Sequence, residues 1–201
     1  MPTDFLALFK TEIPARDKFL SRLFGIFNEE IVRCWARDPR APYEDLGRPT
    51  LKAPGDARGY TLDFTLRRRT DGATFVAEMK CKLEYERYRY LTLTSPDQLA
   101  HHRKPAFTAF LKAARQPDRY AVRIGGKPIT VHGAILIWGR VTDAGRRAVI
   151  DRHGFADVLS LESIITDLQT TENAEYRALL RRLAAWAAEL FAGLTGPRAL
   201  P

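Results

Sequence analysis

Apolar residues recur at helical spacing from about residue 16 to 37, in RDKFLSRLFGIFNEEIVRCWAR, and the pattern stops at Asp38-Pro39 with Pro42 close behind. Residues 40–58 are dense in Pro and Gly and predict a loop with a short extended piece around PYEDLGRPTL. Two runs alternating apolar and polar follow at about 59–68 and 73–82, on either side of Asp71-Gly72, and predict a β-hairpin. Ser95-Pro96-Asp97 combines a cap residue, a first-turn proline and an acid, so a helix is expected from there to about 115. The run ITVHGAILIWGRV (129–141) is apolar enough for a central strand, and another strand is expected near 146–151. FADVLSL leads into a short helix after Ser160.

The last predicted helix, about 172–192, aligns Leu179, Leu183, Trp186 and Leu190 and is expected to end at Gly193. Its wide apolar side suits packing on the sheet or pairing of two copies, so a homodimer is one of two readings. The order α, β, β, α, β, β, α, α predicts an α/β fold, a mixed central β-sheet flanked by helices.

Composition narrows the class. A chain of 201 residues can bury one good core, so a single domain over 1–201 is expected. Hydrophobic content of 45% with 28% charged residues argues against disorder. The net charge of +8 favours a polyanionic partner. Cys34 and Cys81 cannot build a disulfide framework and have no metal-like spacing, which fits a reducing compartment. No apolar run approaches the ~18 residues of a membrane span. MPTDFLALFKTE lacks a basic segment before its apolar patch, so a cytoplasmic chain without signal peptide or membrane partner is expected.

The hairpin carries the chemistry. Side chains alternate faces along a strand, which groups Tyr60, Leu62, Phe64 and Leu66 on one side and Thr61, Asp63 and Thr65 on the other. In the second run Phe75, Ala77, Met79 and Cys81 share a face opposite Val76, Glu78 and Lys80. A two-residue turn at Asp71-Gly72 sets Asp63 opposite Lys80 with Glu78 one diagonal step away; a four-residue loop keeps that parity. One acid beside one lysine is an ordinary cross-strand pair. A second acid there calls for a cation or a bound proton, and hard oxygen ligands suit Mg2+ or Mn2+. Spacing alone leaves a metal site and solvated charges both open.

Glu30 lies within roughly 60° of Phe19, Leu23, Ile26, Phe27 and Cys34 on the first helix, in its apolar stripe. A carboxylate there either pairs with Arg33 or Arg37 or joins Asp63 and Glu78.

Glu30 on a helix, Asp63 on one strand and Glu78-Met79-Lys80 on the next, with Gln98 on the following helix, resemble the PD-(D/E)XK nuclease superfamily, whose fold is restriction-endonuclease-like. Leu62, not proline, precedes Asp63. The resemblance covers about residues 16–165 and implies an αβββαβ-type core with an extra C-terminal helix. It implies a divalent metal, Mg2+ or Mn2+, bound by Asp63 and Glu78 with the Met79 carbonyl. Glu30 would bind a second metal or orient a water, Lys80 would position the attacking water, and Gln98 would stand near the site. The implied activity is phosphodiester hydrolysis, in DNA before RNA, leaving a 5′-phosphate and a 3′-hydroxyl. A nucleic-acid-binding or scaffolding protein without cleavage is the alternative.

Basic residues extend the theme. Arg67, Arg68 and Arg69 stand at the hairpin end, and Lys82, Arg87 and Arg89 alternate with Tyr85, Tyr88 and Tyr90. Arg103 and Lys104 follow His101 and His102. Such mixtures suit phosphate contacts and base stacking, although tyrosines in a strand also serve packing.

Overall fold

The computed structural model describes residues 5–81, 83 and 88–195. After a 3-10 turn at Leu6–Leu8, helix α1 runs from Pro14 to Arg37. Pro14 sits in its first turn, and the Asp17 carboxylate accepts from the Thr11 N–H and hydroxyl at 2.7 and 2.8 Å. Strands β1 (Tyr43–Asp45), β2 (Pro49–Lys52), β3 (Tyr60–Thr61), β4 (Phe64–Arg68), β5 (Thr74–Lys80) and β6 (Thr92–Leu93) follow. A 3-10 helix, Pro96–His101, precedes α2 (Pro105–Arg115). A further 3-10 turn (Pro117–Arg119) leads into β7 (Ala121–Ile124), β8 (Lys127–Ile129), β9 (Ala134–Trp138) and β10 (Arg140–Val141). The chain closes with α3 (Asp143–His153), β11 (Asp157–Ser160), α4 (Leu161–Thr170) and α5 (Ala174–Thr195).

The main sheet has the order β1-β4-β5-β9-β11, with β5, β9 and β11 parallel and β4 antiparallel to both its neighbours. It is a mixed sheet with helices on both faces, as the hydrophobic pattern predicts. One face packs Phe64, Leu66, Phe75, Ala77 and Ile137 under α1 and α4. The other packs Val76, Leu136, Trp138 and Val158 under α2 and α3. β9 is buried on both faces, the central strand expected of AILIW. An antiparallel sheet of order β3-β2-β7-β8 and a β6-β10 ribbon complete the fold.

Three expectations are corrected. The strand expected near 146–151 is helix α3: the Thr142 hydroxyl caps it by accepting from the Gly145 N–H at 3.0 Å, and Gly154 ends it at φ +74°. The apolar Ala148-Val149-Ile150 run reflects one buried residue, Val149, rather than a strand. The helix expected over 95–115 breaks at Lys104, held extended by the proline after it, and Pro105 starts α2 afresh. Helix α5 passes through Gly193 to Thr195.

The hairpin phase also resets. Leu62 packs with the α2 face while Phe64 and Leu66 pack with the α1 face, because the chain crosses from the small sheet to the large one at Leu62-Asp63. The turn is a four-residue loop: the Arg68 N–H donates to Ala73 O at 2.8 Å, the Gly72 N–H to Arg68 O at 2.9 Å, and Gly72 has φ +74°. Parity survives, but the register shifts by two. Phe64 pairs with Ala77, so one step further Asp63 faces Glu78 rather than Lys80.

Candidate active site

Three of the charged residues expected at the site meet at the end of β5. The Asp63 carboxylate accepts the Met79 N–H at 2.8 Å, which fixes Asp63 where β4 begins. Arg48, from the loop before β2, approaches Asp63 at 3.7 Å. Glu78, only 9% exposed, points to the α2 face and pairs with Lys80. The Lys80 ammonium also donates to the Met79 carbonyl at 3.2 Å and lies 5.4 Å from the centre of the Phe107 ring. One ammonium thus serves both a carboxylate and the carbonyl beside it.

The carboxyl of Glu78 is pushed above its usual range. Burial is the largest cause, Lys80 opposes it, and the Asp63 charge raises it further. Glu78 Oε2 is buried and accepts no hydrogen bond. Leaving such an oxygen unsatisfied costs about 1–3 kcal/mol, which a cation would relieve. The donor set of two carboxylates and a strand carbonyl has the hard-oxygen chemistry that Mg2+ or Mn2+ takes, so the residues present fit that ion.

Glu78 and Lys80 open into a cleft of about 560 Å3 lined also by His101, His102, Arg103 and Lys104, with Phe107 at its side. The break at Lys104-Pro105 creates this wall. His101 stacks on Tyr90 with ring centres 4.7 Å apart, and His102 packs edge-on against Phe107 and Trp138. Neither Arg48 nor Phe107 was marked by sequence: Arg48 stands in a loop with no motif, and Phe107 reads as helix core.

Glu30 is engaged within α1. Its carboxylate accepts from Arg33 at 2.8 Å, and its side chain is 47% exposed. Arg33 also binds Glu29 at 3.1 Å and lies over the Phe64 ring, next in chain to Asp63. The apolar stripe that led to Glu30 is not the buried face: Phe19, Leu23 and Ile26 are exposed, whereas Phe24, Asn28, Ile31, Val32 and Trp35 are covered. Among the described residues no group of three or more His, Cys, Asp or Glu is arranged to hold a metal.

Gln98 is occupied by local structure. Its Oε1 accepts from the Thr94 and Ser95 N–H groups at 2.7 and 3.0 Å, and its amide donates to Thr92 O at 2.9 Å, completing a capping box with Ser95. The hairpin arginines are likewise engaged. Arg67 pairs with Glu44, Arg68 lies 4.9 Å over the Phe75 ring, and Arg69 donates to the Ala36 and Ala41 carbonyls at 3.0 and 3.1 Å. At about 3.3 Å per residue they stand roughly 17 Å along β4 from Asp63, at the opposite strand end from the site expected of them. Arg89 lies over Tyr90, beside the cleft wall. Lys82, Tyr85 and Arg87 fall outside the described residues.

Burial pushes the Cys34 thiol up to about 11 and that of Cys81 up to about 12. No helix among the described residues is long and apolar enough to cross a membrane. No family model matches the chain, no curated protein matches it, and no solved structure matches it.

Proposed function

We propose that the chain is a divalent-metal-dependent phosphodiesterase of the PD-(D/E)XK kind, cutting nucleic acid, DNA before RNA. One observation carries the reading. A buried, raised-pKa Glu78 with a partnerless oxygen lies beside Asp63 and Lys80 at the edge of a cleft walled by Arg103 and Lys104. The mixed α/β sheet is compatible with it as well: Asp63 immediately precedes β4, Glu78 lies on the antiparallel β5, and β9 runs parallel to β5.

Asp63, Glu78 and the Met79 carbonyl would hold Mg2+ or Mn2+, which supplies charge neutralisation at phosphorus and a lowered pKa of water. Asp63 is held by the Met79 N–H through one oxygen, and its other oxygen faces Arg48 at 3.7 Å. Lys80, which pairs with Glu78 and donates to the Met79 carbonyl, would orient an attacking water or a phosphate oxygen. Arg103 and Lys104 face the same cleft and suit the phosphates flanking the cut bond. Hydrolysis would leave a 5′-phosphate and a 3′-hydroxyl.

A second reading, binding without cleavage, draws on Glu30 being held by Arg33. Incubation with linear, circular and single-stranded DNA and with RNA, each with Mg2+ or Mn2+, separates the two. Cutting that needs the cation and disappears in Lys80→Ala supports the phosphodiesterase. Binding with no cutting in either cation favours the alternative.

A further inference from the structure

The stripe that misplaces Glu30 has a use of its own. On α1, Phe19, Leu23 and Ile26 are 50%, 37% and 78% exposed. On α5, Trp186, Leu190, Phe191 and Leu194 are 55%, 59%, 43% and 74% exposed. The two sets form one surface, because the helices lie antiparallel: Arg37 pairs with Glu175 at one end, and the Phe19 and Phe191 rings are 6.4 Å apart towards the other. Of α5 only Tyr176 and Leu179 are fully buried; from Leu180 onward the helix lies on the outside of the molecule.

At these exposures the seven side chains leave roughly 600 Å2 of apolar surface uncovered, against about 300–600 Å2 for the largest patch on a typical monomer. A standard protein interface takes about 800 Å2 from each partner, part of it polar. The patch therefore stands at the top of what a solitary chain exposes and supplies the apolar part of what a stable dimer needs.

Sequence spacing along α5 names the occupant. Tyr176, Leu179, Leu183, Trp186 and Leu190 follow one another in steps of three, four, three and four, the seam of a coiled coil. The first two are spent on the chain's own core and Leu183 is half-buried against it, which leaves Trp186 and Leu190 as the open part of the seam. Arg182 and Glu189 flank the remainder seven residues apart, on one edge of the seam, and Arg182 lies 5.4 Å over the Trp186 ring. Lay two α5 helices antiparallel with Leu183 of each across from Trp186 of the other. Arg182 of each copy then meets Glu189 of the other, twice per dimer. The charged edge of the seam is complementary to itself.

The geometry points to a second copy of this chain as the cover: a homodimer built on an antiparallel α5–α5 contact, with α1 flanking it. The contact is independent of the nuclease reading, since none of its residues lies in the cleft.

Sedimentation equilibrium of the full chain tests it. Twice the 22.8-kDa chain mass is expected at ~10–100 μM. Trp186→Glu combined with Leu190→Glu should run as a monomer with unchanged circular dichroism. Arg182→Glu and Glu189→Arg should each weaken the dimer about tenfold, and the two reversals together should restore it. This charge-swap arm stays informative if the double glutamate variant does not fold. A wild type that is monomeric at ~100 μM overturns the proposal. So does a dimer that survives both the glutamate and the charge variants. A monomer that instead binds anionic phospholipid vesicles through Trp186 overturns it as well.

Discussion

Replacing Glu78 by Gln in metal-free buffer should stabilise the protein while removing its response to divalent cations. The raised pKa of Glu78 is the sum of burial, the Asp63 charge and the opposing Lys80 charge, and that sum is set against the ionised form. Gln keeps the shape and inherits the environment of the neutral acid. Its Oε1 still accepts from Lys80, and its amide can donate to Asp63. The sign follows from linkage: an acid whose folded pKa lies above its unfolded value costs stability as pH rises through the unfolded value, until the folded pKa is passed. Replacing the unsatisfied buried Oε2 by an amide donor, offset in part by weakening the charged bond to Lys80, leaves a gain of about 1 kcal/mol, or about 2–4 °C in Tm for a chain of this size.

Thermal melts of wild type and Glu78→Gln at pH 4 and pH 8, with chelator and then with Mn2+, read this directly. The two should converge near pH 4 and separate at pH 8 with the variant higher. Saturating Mn2+, at about a hundredfold over Kd, should raise the wild type by about 2.7 kcal/mol and leave the variant unmoved. A variant less stable than wild type at pH 8 in chelator would refute the claim that this carboxylate is held against its environment.

Other consequences are simpler. Asp63→Asn should abolish Mg2+-dependent cleavage with an unchanged fold, whereas Glu30→Gln, which breaks only the Arg33 pair, should leave most activity; equal losses would return Glu30 to the site. Gln98→Ala should cost about 1–2 kcal/mol in urea melts through the lost capping box, and an activity defect without that stability loss would give Gln98 a chemical role instead. Asp38 accepts from Arg40 and Asn173, and these bonds hold its carboxyl well below the usual range. Its contribution is present above the ordinary carboxyl pKa and is lost as pH falls below it. Asp38→Ala should therefore destabilise by about 1–3 kcal/mol at pH 7 and by much less in strong acid.

Periodicity made the main sheet readable because buried strands must be apolar, as AILIW is throughout and TFVAEMK is apart from Thr74, Glu78 and Lys80. Parity made Asp63, Glu78 and Lys80 readable as one group, since a four-residue loop and a two-residue turn differ by a whole side-chain period. Three things were not legible. The crossing at Leu62-Asp63 depends on a second sheet assembled from β2, β7 and β8, far apart in sequence. The place of Glu30 depended on which stripe of α1 meets the core; Asp17, Ser21 and Asn28 lie on the buried face, whereas Ile26 does not. Arg67, Arg68 and Arg69 found carboxylates, a carbonyl pair and an aromatic ring that only the folded chain brings near.

The central claim is that Asp63 and Glu78 share a divalent cation. Titration of Mn2+ into the wild type, Asp63→Asn and Glu78→Gln, followed by calorimetry and by the Mn2+ paramagnetic signal, tests it most directly. Mn2+ should saturate the wild type, and each substitution should remove that binding. Absence of Mn2+ binding to the wild type, or binding that both variants retain, would contradict it.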